Sequence, residues 1–228
     1  MSNQRAIFIQ DDHDIAVKLN AFYENNPYGD RKYYGVTTVL SKTKSEEDQE
    51  SLKKWRESVG EEKAEEILQE SLKIGSSLDM IIEKFLSPNF NEDEYRKELG
   101  YRLFIQLKPI LKNINPIGMQ VHLYSDKYKI QGFLDCIGIY KETLYMIDFK
   151  NSRKPKTQKY LQDYYLQCAI YCIMLYDMIR VPIKDICIIV GVRNGLPQVE
   201  RVKLKDYIHL AKERLDKFET VRYKKTSK

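Results

Sequence analysis

Ile130-Gln131-Gly132-Phe133-Leu134-Asp135-Cys136-Ile137, followed after a short turn by Leu144-Tyr145-Met146-Ile147-Asp148-Phe149-Lys150, is the stretch whose reading decides the fold. Both runs alternate or cluster apolar residues as strands do, and Lys141-Glu142 sits between them as a turn. The pair therefore reads as a hairpin. Its anomaly is charge: Asp135, Asp148 and Lys150 interrupt apolar runs, where charged groups are rarely buried unless paired or bound to a metal. Strand alternation puts Asp148 and Lys150 on one face and Phe149 on the other. Two carboxylates with a cation beside them suit a divalent-metal site.

Outward from the hairpin, a third strand precedes it at about 117–125, with the hairpin strands spanning about 128–139 and 143–149. A long helix follows at about 158–179, its seam formed by Leu161, Tyr165, Cys168, Cys172, Leu175 and Ile179. Cys187 to Val192 is a continuous apolar run, typical of a strand covered on both faces, and Gln198 to Val202 extends or pairs with it. A final amphipathic helix is expected at about 204–221, before a basic tail from Tyr223 to Lys228.

Upstream of the sheet the reading is helical. Residues 45–72 are dense in Glu and Lys, and Gly60 splits them into two pieces. Leu52, Trp55 and Val59 make a stripe on the first piece, and Ala64, Ile67, Leu68 and Leu72 on the second. These charges read either as a solvated face or as a helical insertion over a substrate channel. Gly75-Ser76-Ser77 is expected to open another helix, with Asp79 and Glu83 on one face and a stop at Pro88. Tyr95 to Ile114 reads as a further helix, kinked or shortened by Pro109. Val36 to Leu40 fits a short strand or a helix start equally, and residues 1–35 read as a loosely structured lead-in. With no repeat and no clear linker, a single domain over 1–228 is expected.

Composition narrows the chemistry. The chain has 228 residues, 43% hydrophobic and 31% charged, with a net charge of +5, a mild lean toward polyanions. Its 17 tyrosines include candidates for stacking on unpaired bases. No apolar run approaches a membrane span, and the first residues resemble neither a secretory signal nor a transit peptide, so a cytoplasmic location without membrane partners is expected. Cys136, Cys168, Cys172 and Cys187 lack Cys-x-x-Cys spacing and read as reduced, buried thiols rather than iron–sulfur ligands. His13, His122 and His209 share no zinc spacing, and no Gly-rich phosphate loop suggests a bound nucleotide.

Gly132-x-x-Asp135 followed by Asp148-x-Lys150 resembles motifs II and III of the PD-(D/E)xK nuclease superfamily, with Leu134 where its proline would stand. Gln167-Cys168-Ala169-Ile170-Tyr171 resembles the Gln-x-x-x-Tyr motif of the RecB-like branch. Val36 to Leu40, Leu52-x-x-Trp55-Arg56 with Val59-Gly60, and Gly75 to Glu83 follow the layout of the mitochondrial genome maintenance exonucleases and similar phage-encoded relatives.

The resemblance implies an α/β fold with a restriction-endonuclease-like core, a mixed central sheet flanked by helices. It also implies an N-terminal helical, arch-like insertion at about 41–72, ahead of a catalytic core at about 73–221. The implied activity is Mg²⁺- or Mn²⁺-dependent hydrolysis of DNA from single-stranded ends in replication, repair or recombination, with partner proteins of those processes, in a phage or bacterial host cell. An endonuclease or flap nuclease of the same fold, or an idle nucleic-acid-binding module, is the alternative.

In this scheme Asp135, Asp148 and Lys150 are catalytic, and Asp135, Asp148 and the Phe149 carbonyl hold one or two metals. Asp79 stands near the position of a family histidine ligand; it is either a ligand or a charge at a helix start. Glu83 is a further carboxylate on that face, and Gln120 occupies a position where an acidic residue is expected, which weakens a second metal site. Gln167 and Tyr171 are expected on the DNA. Lys154, Lys156 and Lys159 follow the catalytic strand as a phosphate-contacting or merely solvated loop. Trp55 and Arg56 are expected to contact a single strand by stacking and charge, with a core anchor as the other role for Trp55.

Overall fold

The computed structural model describes residues 6–226, with side chains as far as Arg222. The basic tail from Tyr223 lies outside the described side chains. The expected meander is present: β3 (Ile114–Ser125), β4 (Ile130–Tyr140) and β5 (Thr143–Ser152) run antiparallel. Lys141 and Glu142 both take positive φ, 47° and 65°, the pair of left-handed residues that a tight two-residue hairpin requires. A chain crossing through helix α6 (Gln158–Ile179) then sets β6 (Asp185–Val192) parallel to β5. Strand β7 (Gln198–Lys203) closes that edge antiparallel to β6, and β1 (Ile7–Phe8) lies antiparallel on β3. The order is β1-β3-β4-β5-β6-β7, with the short β2 (Tyr34–Gly35) parallel to the start of β4. The protein is thus mixed α/β, with a central, mostly antiparallel sheet flanked by helices.

Each sheet face has its own core. Helices α1 (Asp14–Asn25), α2 (Val36–Lys42), α6 and α7 (Ile208–Thr226) cover one face, where Leu19, Val39, Leu161 and Leu215 pack toward Leu134, Ile137 and Met146. Helices α4 (Glu61–Leu86) and α5 (Tyr101–Leu111) cover the other, where Leu78, Ile82, Phe104 and Leu107 meet Met119, Cys136, Ile147 and Phe149. Burying each such side chain contributes about 1.5–3 kcal/mol. With helices on both sides, β6 is buried almost throughout, which accounts for its unbroken apolar run. Among the described residues no helix is long and apolar enough to cross a membrane.

Several elements depart from the sequence expectation. The N-terminal lead-in is ordered: α1 buries Ile15, Ala16, Leu19 and Tyr23, and the His13 ring caps it by accepting the Ile15 N–H at 3.2 Å. Its stripe is short and flanked by polar residues, so periodicity alone does not reveal it. The ambiguous segment at Val36 is helix α2. Gly60, at φ 85°, does divide α3 (Glu46–Val59) from α4. Gly75-Ser76-Ser77, however, starts nothing; α4 runs through it unbroken for 26 residues.

A Cβ at position 75 would come within 2.8 Å of the Asn151 amide, so the glycine serves a close approach of α4 to the end of β5. The expected boundary at 72/73 falls inside this helix. The helix expected from Tyr95 begins only at Tyr101, after a 3-10 turn at Glu92–Tyr95, and Pro109 sits in its last turn. Helix α3 buries no side chain, and Leu52 and Trp55 are exposed, so its apolar stripe is not a core seam and Trp55 is not a core anchor.

Candidate active site

The hairpin opens where its charges begin. Pairing of β4 with β5 runs from Tyr140–Thr143 to Cys136–Ile147 and stops there. In the gap beyond, Asp135 Oδ2 accepts the Phe149 N–H at 2.9 Å, taking the place of a ladder partner. The N–H and C=O of a strand residue project to the same edge, so the Phe149 carbonyl faces the same gap. On the other side of β4, Gln120 lies opposite Asp135, between the pairs Met119–Cys136 and Val121–Leu134. Gln120 has φ 49°, an unusual conformation for a residue other than glycine. The meander is irregular at the point where Asp135 enters the gap.

Asp148 and Lys150 share the face covered by α6, while Phe149 lies in the opposite core. Asp148 is 1% exposed. Its Oδ2 lies 2.6 Å from Lys150 Nζ, a buried ion pair. Burial, reinforced by Asp135, pushes the Asp148 carboxyl up to about 7 against the pull of Lys150. Burial opposes the Lys150 charge, but Asp148 and then Asp135 outweigh it and hold the ammonium well above its ordinary value.

Asp79 joins this group from the middle of α4. Burial, then Asp135, pushes its carboxyl up to about 7, with Lys150 opposing and Asp148 adding. Because α4 is continuous, Asp79 is not at a helix start, and the capping role considered for it is excluded. Glu83, one turn on, pairs with Lys84 at 3.8 Å instead. Three carboxylates thus surround one ammonium in a largely dehydrated space, a balance that favours an added positive charge.

Helix α6 presents Tyr164, Gln167, Cys168 and Tyr171 along one face toward these charges. Gln167 Nε2 donates to the Tyr171 hydroxyl at 3.3 Å. Tyr171 is only 3% exposed, so it sits beneath the site and supports Gln167 rather than reaching out itself. Its ring fills the space over Gly132, where a Cβ would meet Tyr171 Cε1 at 2.7 Å and the hydroxyl at 2.8 Å. Tyr164, outside the Gln-x-x-x-Tyr motif, also faces the site. Its ring lies 5.5 Å from Lys150 Nζ and 5.6 Å from Lys156 Nζ. The signal for it was its spacing of three and seven from Gln167 and Tyr171.

Beyond Tyr164 lies a groove of about 760 Å³ between α3 and the start of α6, lined by Trp55, Leu52, Lys44, Lys156, Tyr160 and Tyr164 among others. Lys156 also lies 5.9 Å from the Tyr160 ring, and burial, then Lys44, pulls its ammonium below the ordinary value. Lys159 ties the groove together through an ion pair with Glu47 at 2.5 Å. Lys154 is exposed. Arg56 is not in this groove: it pairs with Glu61 and lines a separate hollow with Lys42, Gln49 and Lys53. Neighbours on a helix point about 100° apart, and Trp55 and Arg56 line two adjoining hollows that share Lys44 and Leu52.

Among the described residues, no three His, Cys, Asp or Glu side chains close into a ready cage for an ion. Asp135, Asp148 and the Phe149 carbonyl could hold a hard divalent cation, and a carboxylate as buried as Asp148, beside Asp135, fits that use. Asp79 adds a third carboxylate within electrostatic reach of Asp135, Asp148 and Lys150.

No family model matches the chain. The chain is similar to the mitochondrial genome maintenance exonuclease 1 of Mus musculus, at 30% identity over 128 residues. That match covers 53% of this chain and 37% of the mouse protein, so the chain spans well under half of the relative's length. The relative is an exonuclease by name, which suggests a nuclease relationship.

Proposed function

We propose that this protein is a metal-dependent DNA exonuclease of the RecB-like branch of the PD-(D/E)xK nucleases, hydrolysing phosphodiester bonds at single-stranded ends. The observation that carries the reading is the parted hairpin, with Asp135 on the Phe149 N–H and Asp148 against Lys150. The likeness to an exonuclease of genome maintenance supports a nuclease acting on DNA.

In this reading Asp135, Asp148 and the Phe149 carbonyl hold Mg²⁺ or Mn²⁺, with Asp79 tuning the local charge. These groups would hold an ion that would supply an acidified water and positive charge at a phosphoryl oxygen. Lys150, kept charged by its two carboxylate neighbours, donates hydrogen bonds to that water and to the charge that grows on the phosphate. Gln167, propped by Tyr171, points its amide toward the phosphate. Lys156 between two tyrosines, with Trp55 across the groove, offers charge to the backbone and faces to unpaired bases. Helix α3 lines one side of this path.

Digestion of linear and circular single strands and linear duplex with Mg²⁺ or Mn²⁺ tests the proposal. Loss of linear but not circular single strands is expected. Cut circles would assign an endonuclease, and binding without any cleavage would assign an idle binding module. Asp148→Ala and Lys150→Ala should each lower the rate by at least about 100-fold while circular dichroism stays native. A retained rate in either would remove that residue from the chemistry.

A further inference from the structure

Phe133 stands two residues before Asp135 on β4 and is 50% exposed, although Leu134 and Cys136 beside it are fully buried. A single exposed phenylalanine needs no explanation by itself. This one is backed. Its ring stacks on that of its cross-strand partner His122, with centroids 4.6 Å apart and planes 15° from parallel. The His122 ring is itself pinned: it is 6% exposed, one ring nitrogen lies 3.0 Å from Gln131 Oε1, and Tyr28 meets it edge-on at 4.9 Å. The result is a two-layer aromatic shelf whose lower layer is fixed and whose upper face is open to solvent. Gly132 and Leu134 pack toward α6, so the shelf projects on the other side of the sheet, the side that α4 covers and from which Asp79 acts on Asp135.

We propose that Phe133, backed by His122, stacks on the unpaired base of the nucleotide adjoining the phosphodiester bond cut at Asp135 and Asp148. The proposal rests on the nuclease reading and adds a specificity-determining residue to it. Two residues of strand span about 7 Å, the reach from a phosphate to its own base. Stacking accepts every base, because each has a π face, and it contributes no sequence preference. A base held in a duplex is already stacked on both faces and cannot use the shelf. Phe133 therefore selects single-stranded ends over paired ones.

The test uses the full chain with Mg²⁺ or Mn²⁺ on linear oligodeoxynucleotides carrying one abasic position. Metal-free binding to a strand containing 2-aminopurine gives a second readout. The wild type should pause at one fixed register from the abasic position and quench 2-aminopurine there. Phe133→Ala should raise KM for single strands about tenfold or more with little change in kcat. It should also lose both the pause and the quench, and Phe133→Trp should restore them. If the wild type cleaves and Phe133→Ala keeps its KM and its pause, the shelf is refuted and the nuclease reading stands. If the wild type cleaves nothing, the nuclease reading falls. The quench then decides alone: its loss in Phe133→Ala upholds the shelf, and its retention overturns it.

Discussion

Gly132→Ala should damage the site from beneath without touching a charged group. The added Cβ would lie 2.7 Å from Tyr171 Cε1, 2.8 Å from its hydroxyl and 3.2 Å from Cζ. Ordinary carbon contacts begin near 3.5 Å, so the ring must retreat by roughly 0.7–1 Å. It has little room, being 3% exposed on a helix whose flanking side chains Ile170 and Cys172 are buried too. Overpacking of this kind costs about 1–3 kcal/mol, and for a chain of this size each kcal/mol lowers Tm by about 2–4 °C. Gln167, which donates to the Tyr171 hydroxyl, moves with the ring, and a displacement near 1 Å in a positioning group can cost about 100-fold in rate.

Differential scanning calorimetry and single-turnover cleavage of a linear single strand would measure the two effects. Adding Tyr171→Leu to Gly132→Ala should recover much of the lost stability but not the rate, because the leucine relieves the clash and cannot hold Gln167. A Gly132→Ala protein with unchanged Tm and rate would refute the argument. So would strictly additive effects in the double variant, since the two residues would then not be in contact.

The metal-free protein should lose stability as pH rises from about 4 to about 7. Asp79 and Asp148 are pushed up to about 7, against about 3.9 in an unfolded chain, so over that window the folded state holds protons the unfolded state has released. The loss levels off above about pH 8 and is reduced in Asp79→Asn; a Tm that does not fall across the window would contradict it. Mg²⁺ should raise Tm more at pH 7.5 than at pH 5, because the ion binds the deprotonated carboxylates. In the groove, Lys156→Ala should weaken single-strand binding severalfold and flatten its log-log salt dependence by about 0.7. Arg56→Ala, facing a different hollow, should leave both unchanged. Anisotropy titrations at several salt concentrations would show this, and equal losses from the two variants would refute the division of the grooves.

The sheet and its charged gap were legible in the sequence because strand alternation is local. Period-2 patterning over β3 to β5, the apolar run of β6 and the three-and-four seam of α6 each lie within one short window of sequence. The residues brought to the gap, Asp135, Asp148, Lys150 and Gln167, belong to those same elements. Helix α1 was not legible, since its four buried residues acquire meaning only from the sheet face they cover. Gly75 was misleading for a related reason. As a lone glycine beside two serines it signals a break, and only the approach of Asn151 across 76 positions of chain shows why α4 continues.

The sequence by itself determined which residues carry charge into apolar strands, and in what order along the chain. Tertiary structure alone decided how they act on one another. It put Asp79 in mid-helix among the other carboxylates, buried Tyr171 as a prop, and sent Trp55 and Arg56 to different grooves. Backbone periodicity is a property of neighbours in sequence, whereas burial and the electric field at a carboxylate depend on whatever the fold packs around it.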